Sequence, residues 1–492
     1  MSNSIYWHDY ETFGANPRRD RAAQFAGVRT DEALNIIDEP LQLYCQPAPD
    51  FLPHPQSCLI TGITPAVARA RGVPESEFTA RILAQFVQPQ TCGAGYNSLR
   101  FDDELTRQLL YRNFHDPYER EWKNGNSRWD IIDMVRLCCA LRPEGIVWPR
   151  REDGAPSFRL EELTAANGIG HANAHDALAD VLATIALARL IRERQPRLYD
   201  YVYQLRDKTK VLSQLDIVSK KPVLHVSSMY PAAHGALALV APLTRHPADK
   251  NGIIVFDLRQ DPAQWLHLDV EALRRRLFTR QEELPEGETR IALKVLHVNR
   301  CPVVAPLALL DEATASRLAI DLKQSQVHWQ RLLEAPEAIM RVASAFDRPL
   351  DDAGPGVADP DFMLYSGGFL GADDKRTLAQ VRTASPAELA LWRPGFRDPR
   401  LNEMLFRYRA RNFPASLTPA EQVRWQAHCH ATVLREPQQA GPGVCWTEFV
   451  EALEELRADP GNAVHLQLLD ELAQYARQLL PLNGVGHPLH EH

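Results

Sequence analysis

Along the first fifty positions, β-branched and aromatic residues gather into three short runs, Ser4–His8, Gln24–Arg29 and Ile36–Cys45, separated by stretches rich in Gly, Asn, Pro and Asp. That pattern predicts three strands joined by turns, an antiparallel start. From Glu75 the apolar spacing lengthens to three and four residues, which predicts a helix reaching Val87. A strand at Thr91–Tyr96 and a helix over Phe101–Asn113 follow, then helices at Ile131–Leu141, Arg159–Asn167 and Ala174–Glu193, the last stopped by Pro196. Strand followed by helix implies an α/β layer, assigned here to residues 1–196. Between Val211 and Lys294 strand-like runs return at Pro222–Val226, Ala236–Pro242, Gly252–Leu258 and Arg290–His297, which suits a small β-barrel within 197–346. Asp347–Asp361 concentrates Pro, Gly and Asp, the composition of an exposed linker. Helical spacing then dominates, in Asp373–Arg382, Pro399–Asn412, Pro419–Leu434, Trp446–Ala458 and Asn462–Leu480, so 362–492 is expected to be a helical domain ending in a frayed tail.

A chain of 492 residues is too long for one core, which agrees with this division. No stretch approaches the roughly 20 apolar residues of a membrane helix, and the start carries no basic-then-apolar leader; the expected compartment is the cytoplasm, with no membrane contact. Eight scattered cysteines without a Cys-x-x-Cys pair are expected to be reduced. The formal net charge of −8 argues against a generic nucleic-acid coat, so any such surface must be local. Between Arg100 and Arg159, Arg107, Arg112, Arg120, Lys123, Arg128, Arg136, Arg142, Arg150 and Arg151 alternate with Tyr111, Phe114, Trp122, Trp129 and Trp148. Interleaved cations and aromatics suit a single strand, whose phosphates and base faces are met together. A solvated face with core aromatics between is the structural alternative.

The first strand ends in Asp9-Tyr10-Glu11. Alternation sends two carboxylates two residues apart to the same face, where they repel unless a cation lies between them, and oxygen-only donors favour Mg²⁺ or Mn²⁺. A further acid comes from Phe101-Asp102-Asp103-Glu104 at a helix start, where acids also simply complement the helix dipole. His175-Asp176-Ala177-Leu178-Ala179-Asp180 opens an Ala-rich helix with Asp180 inside it and His175 on its less rigid flank. An isolated His there is more often a surface or capping residue.

Four acids in this order, with a His five residues before the last, resemble the DEDD superfamily of 3′ to 5′ exonucleases in its His-containing branch. Within it the chain is most similar to the bacterial exodeoxyribonuclease I family. The resemblance is carried by His8-Asp9-Tyr10-Glu11-Thr12-Phe13-Gly14, Leu59-Ile60-Thr61-Gly62-Ile63-Thr64, Tyr96-Asn97 through Asp102-Asp103-Glu104, Asn126-Ser127-Arg128-Trp129-Asp130, Ser157-Phe158-Arg159-Leu160 and Tyr408-Arg409-Ala410-Arg411-Asn412-Phe413-Pro414.

The resemblance implies a ribonuclease H-like exonuclease domain, an SH3-like barrel and a helical domain arched over a groove. It implies processive hydrolysis of single-stranded DNA from the 3′ end, releasing 5′-mononucleotides, in DNA repair and recombination. Asp9, Glu11, Asp102 and Asp180 would hold two Mg²⁺ about 4 Å apart, with Mn²⁺ able to substitute, one orienting the attacking water and the other the leaving oxygen. His175 would be the general base, so cleavage should rise with pH as its imidazole loses a proton. Glu11, Phe13, Leu59 and Thr61 would surround the terminal nucleotide, and Arg128, Trp129 and Arg159 would hold the strand. The family also implies a partner, the C-terminal tail of single-stranded DNA-binding protein, met here by Arg142, Tyr201 and Lys221. A monomer is expected. Two rival readings stand beside this one: an RNA-directed exonuclease of the ribonuclease T type, and a non-catalytic single-strand clamp on a degenerate nuclease domain.

Overall fold

The computed structural model describes residues 3–170, 175–347, 359–439 and 441–480. Its first sheet is built around β1 (Ser4–Thr12), flanked on one side by β2 (Ala22–Asp31) and then β3 (Leu41–Tyr44), and on the other by β4 (Thr91–Gly95) and then β5 (Ser127–Asp130). The β1–β2 and β2–β3 pairs are antiparallel, whereas β1–β4 and β4–β5 are parallel. β1 runs four residues beyond the predicted His8, and β3 starts at Leu41, since Ile36 makes only a single bridge to Thr30. At the end of β4 the backbone comes so close to β1 that a Cβ on Gly95 would lie 2.9 Å from the His8 carbonyl oxygen. The helix Ala177–Arg194 covers one face of this sheet. Pro196 does more than stop that helix: it takes the first position of the next, Pro196–Gln204, where its missing N–H costs nothing.

The second sheet is antiparallel, in the order β10 (Val304–Pro306), β6 (Val223–Val226), β7 (Leu237–Arg245), β8 (Gly252–Asp257), β9 (Leu293–His297). Helices dominate after Asp359, as the spacing predicts, including Arg400–Asn412, Pro419–Val433, Trp446–Ala458 and Leu466–Gln478. The order α/β, then β, then α therefore holds. Of the expected linker, 348–358 lie outside the described residues, and its end is no exposed tether: Asp361 is buried and paired with Arg407 at 3.1 Å. The expected frayed tail also lies outside them.

Cores are shared across the three parts. Trp7 and Trp129 of the first sheet belong to one apolar cluster with Leu224, Leu239 and Phe256 of the second. Phe13, Phe51 and Leu52 share another with Phe449, Leu453 and Leu472 of the helical region. All eight cysteines are unpaired, seven of them buried. Among the described residues no helix is long and apolar enough to cross a membrane.

Candidate active site

The two faces of β1 decide where its acids go. Tyr6, His8 and Tyr10 enter an aromatic layer with Phe25 and Phe86, while Ile5 and Trp7 enter the core shared with Val181 and Ile185. Asp9 and Glu11 continue the second face past its last apolar residue and so meet the start of the helix Ala177–Arg194. Asp180 lies in the first turn there, and carboxylate oxygens of Asp9, Glu11 and Asp180 all lie within 4.8 Å of one another. The helix start is fixed by Asp176, whose side chain caps the amides of Leu178 and Ala179 at 3.1 and 3.2 Å. Gln24 and Gln42 each donate to Asp176 at 3.2 Å, tying that cap to the sheet. Neither glutamine stands out in the sequence; an Asp just ahead of an Ala-rich helix is the one signal for this support.

Asp102 approaches from the other side. It opens the helix Asp102–Arg112, and its Oδ1 accepts the backbone N–H of Tyr10 at 3.2 Å, between the two acidic positions of β1. Its charge acts on Asp9, although it is outside the trio that falls within 4.8 Å. Its neighbours turn elsewhere. Asp103 pairs with Arg120 and Arg128 at 2.5 and 3.0 Å, and Glu104 accepts from Tyr365 and Gln108 at 2.5 and 2.9 Å.

Burial and mutual repulsion leave the cluster short of positive charge. Burial first, then the charges of Asp102 and Asp180, raise the Asp9 carboxyl well above the ordinary range. Glu11 is pushed up to about 9 by burial, then by Asp9, Asp180 and Asp176. Asp102 is raised by burial and then by Asp103. Asp103 shows the reverse: burial pushes it up, but Arg120 and Arg128 hold it below the usual carboxylate range. Oxygen donors that resist joint ionisation suit a hard divalent cation, which supplies the missing charge. His175 is exposed, with a left-handed backbone at φ 68°, five residues before Asp180.

Among the substrate-contact expectations, those for Phe13, Arg128 and Trp129 need correction. Phe13 is 1% exposed and lies against Phe51 at 5.6 Å, so its ring is core and no wedge. Leu59 is half-buried on the helix Pro55–Thr61, and the Thr61 hydroxyl donates to the Ser57 carbonyl at 2.9 Å and accepts the Ile63 amide at 3.1 Å. Arg128 is buried between Asp103 and Glu121, the latter at 3.2 Å, and is not a free strand contact. Trp129 is 1% exposed and edge-on to Tyr199 and Tyr203; its role is packing. Arg159 keeps its reach, exposed with a 3.6 Å pair to Glu162. The run Arg100–Arg159 is thus not a continuous cationic face. Arg107, Arg112 and Arg120 are drawn inward by Glu121, Glu75 and Asp103, acids that a linear reading does not place beside them. Of the partner-contact expectations, Lys221 is exposed and Arg142 half-buried, but the Tyr201 hydroxyl donates to the Val304 carbonyl at 2.8 Å, a structural use.

Comparison with known proteins covers the same three parts. Residues 6–188 match a family model described as Exonuclease, 206–348 the Exonuclease I SH3-like domain and 358–479 the Exonuclease I C-terminal domain. Exodeoxyribonuclease I of Escherichia coli strain K12 is 44% identical, over 98% of this chain and 99% of its own. The structure of a moderately thermophilic Exonuclease I from Methylocaldum szegediense is 51% identical with a TM-score of 0.91, covering 97% of this chain and 100% of that one. E. coli Exonuclease I in complex with a dA16 oligonucleotide gives 43% and 0.92, at 97% and 100% coverage. An SSB/Exonuclease I crystal structure with the inhibitor CFAM gives 42% and 0.87, at 98% and 100%.

Proposed function

The chain belongs to the exonuclease I family, and from that premise we propose that it digests single-stranded DNA processively from the 3′ end, releasing 5′-mononucleotides. The observation that carries this reading is the meeting of Asp9, Glu11 and Asp180 within 4.8 Å, with Asp102 held against the same strand. These four acids hold the divalent ions, two Mg²⁺ with Mn²⁺ able to substitute. Bound there, the ions supply Lewis-acid stabilisation of the charge that develops on the phosphodiester. The protein's share is to place the ligands: Asp176 fixes the helix that bears Asp180, and the Tyr10 amide fixes Asp102. His175 takes the proton from the attacking water, for which its exposed position leaves it free to approach a bound strand end.

Two assays test this. Nucleotide release from a labelled 3′ end should be abolished by chelator and restored by Mg²⁺; binding without release would instead favour the clamp reading. Single-stranded DNA should be hydrolysed faster than RNA of equal length, and the opposite preference would move the enzyme to the ribonuclease T type. The oligonucleotide complex of the E. coli relative favours DNA. For the base, His175→Ala should slow the chemical step by about 10²-fold or more at saturating Mg²⁺; an intact single-turnover rate would remove the assignment.

The SSB complex of a relative also supports a partner reading, in which the tail of single-stranded DNA-binding protein docks on Arg142 and Lys221, with Tyr201 shaping the floor. Arg142→Ala should then lose affinity for a tail peptide. A monomer acting in cytoplasmic DNA repair and recombination completes the proposal, along with residues 1–196, 197–346 and 362–492 as its three domains.

A further inference from the structure

Tyr408–Pro414 lies far along the chain from the acids and takes no part in the chemistry proposed above. In the fold it ends the helix Arg400–Asn412, and its polar side chains are committed. Arg409 pairs with Glu421 at 2.8 Å inside the helical region. Arg411 and Asn412 reach out of it. The Arg411 side chain, 4% exposed, meets Asp50 at 2.7 Å and also pairs with Asp361. Asn412 accepts the backbone N–H of Ser76 at 2.8 Å. Asp50 is fully buried, and the oxygen that receives Arg411 also faces Arg21 at 3.5 Å.

This bridge abuts the strand that carries the acids. The Arg21 carbonyl accepts the N–H of Phe13, two residues after Glu11, at 2.9 Å. Asp50 immediately precedes Phe51, which lies against Phe13. The apolar seam between the same two regions, Phe51 and Leu52 against Phe449 and Leu472, supplies attraction without direction. A buried carboxylate shared by guanidinium groups tolerates little displacement, because any slip leaves charges unpaired in a medium that cannot solvate them.

We propose that the Asp50–Arg411–Asp361 bridge, together with the Asn412–Ser76 hydrogen bond beside it, is a positioning device: it fixes one register of the helical region against the strand bearing Asp9 and Glu11. It thereby sets how many nucleotides leave per encounter, with little influence on the first cleavage. This rests on the reading of the chain as a processive exonuclease on single-stranded DNA.

The test uses the full chain with Arg411→Lys, which keeps the charge and loses the fork, and Asn412→Ala, which removes a contact between the regions without stranding a charge. Two readouts are taken on folded protein. With excess competitor trapping released enzyme, nucleotides removed per encounter with a long strand should fall roughly five-fold or more, as expected when a second contact region no longer engages in register. First-nucleotide release from a short oligonucleotide should stay within about two-fold. Deuterium uptake over Phe13–Arg21 should rise in both variants. Wild-type run length and wild-type uptake in the folded variants would overturn the proposal, as would equal loss of run length and first cleavage. Should Arg411→Lys not fold, Asn412→Ala decides alone. A wild-type protein that released no nucleotide would strike the exonuclease reading instead, and the uptake measurement would still judge the bridge.

Discussion

Two groups of buried carboxyls in this molecule respond to burial in opposite ways. Asp9 and Glu11 face Asp180, Asp102 lies beside Asp103, and burial followed by these neighbouring carboxylates pushes Asp9, Glu11 and Asp102 up, Glu11 to about 9. Asp50 and Glu75 are as deeply placed, yet with burial opposed by Arg411, Arg21 and Arg112 they are held down at about 2. The second group carries its counter-charge in its own side chains, and the result is structure. In the first the counter-charge has to be brought by a cation, and the result is a site. A buried acid by itself therefore says little; what decides its role is whether the chain places a guanidinium beside it.

Glu11→Gln should break this contrast most sharply. Removing one of the mutually repelling charges should lower nucleotide release about 10³-fold, the upper scale for deleting one group that stabilises developing charge. The metal-free protein should meanwhile melt no lower than wild type. Steady-state rates and a thermal melt in chelator check both halves, and a large loss of stability would put Glu11 with the structural acids. Asp50→Ala should do the reverse. It removes the carboxylate that Arg411 and Arg21 share and leaves them to Asp361 and Glu75, at a cost of about 3–5 kcal/mol in urea unfolding, while the folded fraction keeps its first-cleavage rate.

The pH dependence separates the groups without mutation. Glu11 has a folded pKa raised from 4.5 to about 9, so its contribution is fully present below pH 4.5 and is lost as pH rises towards 9. Asp50 and Glu75 are lowered to about 2, so theirs is present above their ordinary values of 3.8 and 4.5 and is lost as pH falls towards 2. Metal-free protein should thus lose stability on both sides of about pH 5. Mg²⁺ should abolish the alkaline loss alone, because ligand deprotonation is coupled to its binding. Melts across pH 3–9 with and without Mg²⁺ measure this; an alkaline slope indifferent to Mg²⁺ would contradict the site.

The smallest effect concerns the arginines. Arg159→Ala should weaken single-strand binding and reduce the slope of log affinity against log salt by about one, as for a single lost phosphate contact. Arg128→Ala should leave that slope unchanged and lower stability instead, because Arg128 is paired with Asp103 and Glu121 inside the fold.

Much of the acid cluster was legible before any fold was known, because its parts follow local rules. Period two along β1 puts Asp9 and Glu11 on one face, and the Ala-rich helical run carries Asp180 near its start. The α/β, β, α order was legible for the same reason, since strand and helix periodicities are properties of contiguous sequence. The basic-aromatic run leaves both of its readings open in the sequence because charge spacing does not reveal which cations are neutralised from a distance. Trp129 and Phe13 look like binding aromatics in sequence; only their packing on Tyr199 and Phe51 makes them core.

The sequence alone thus determined many of the elements, though not β5, β10 or the helices Pro55–Thr61 and Pro196–Gln204, and which acids leave β1 together. The tertiary structure decided that of Asp102, Asp103 and Glu104 the first turns to β1, the second to two arginines and the third to Tyr365. It decided too that Asp50 meets Arg411, 361 residues away. The physical reason is range: backbone periodicity is fixed by neighbours in the chain, whereas the charge state of a buried group depends on side chains that only folding brings within a few ångströms.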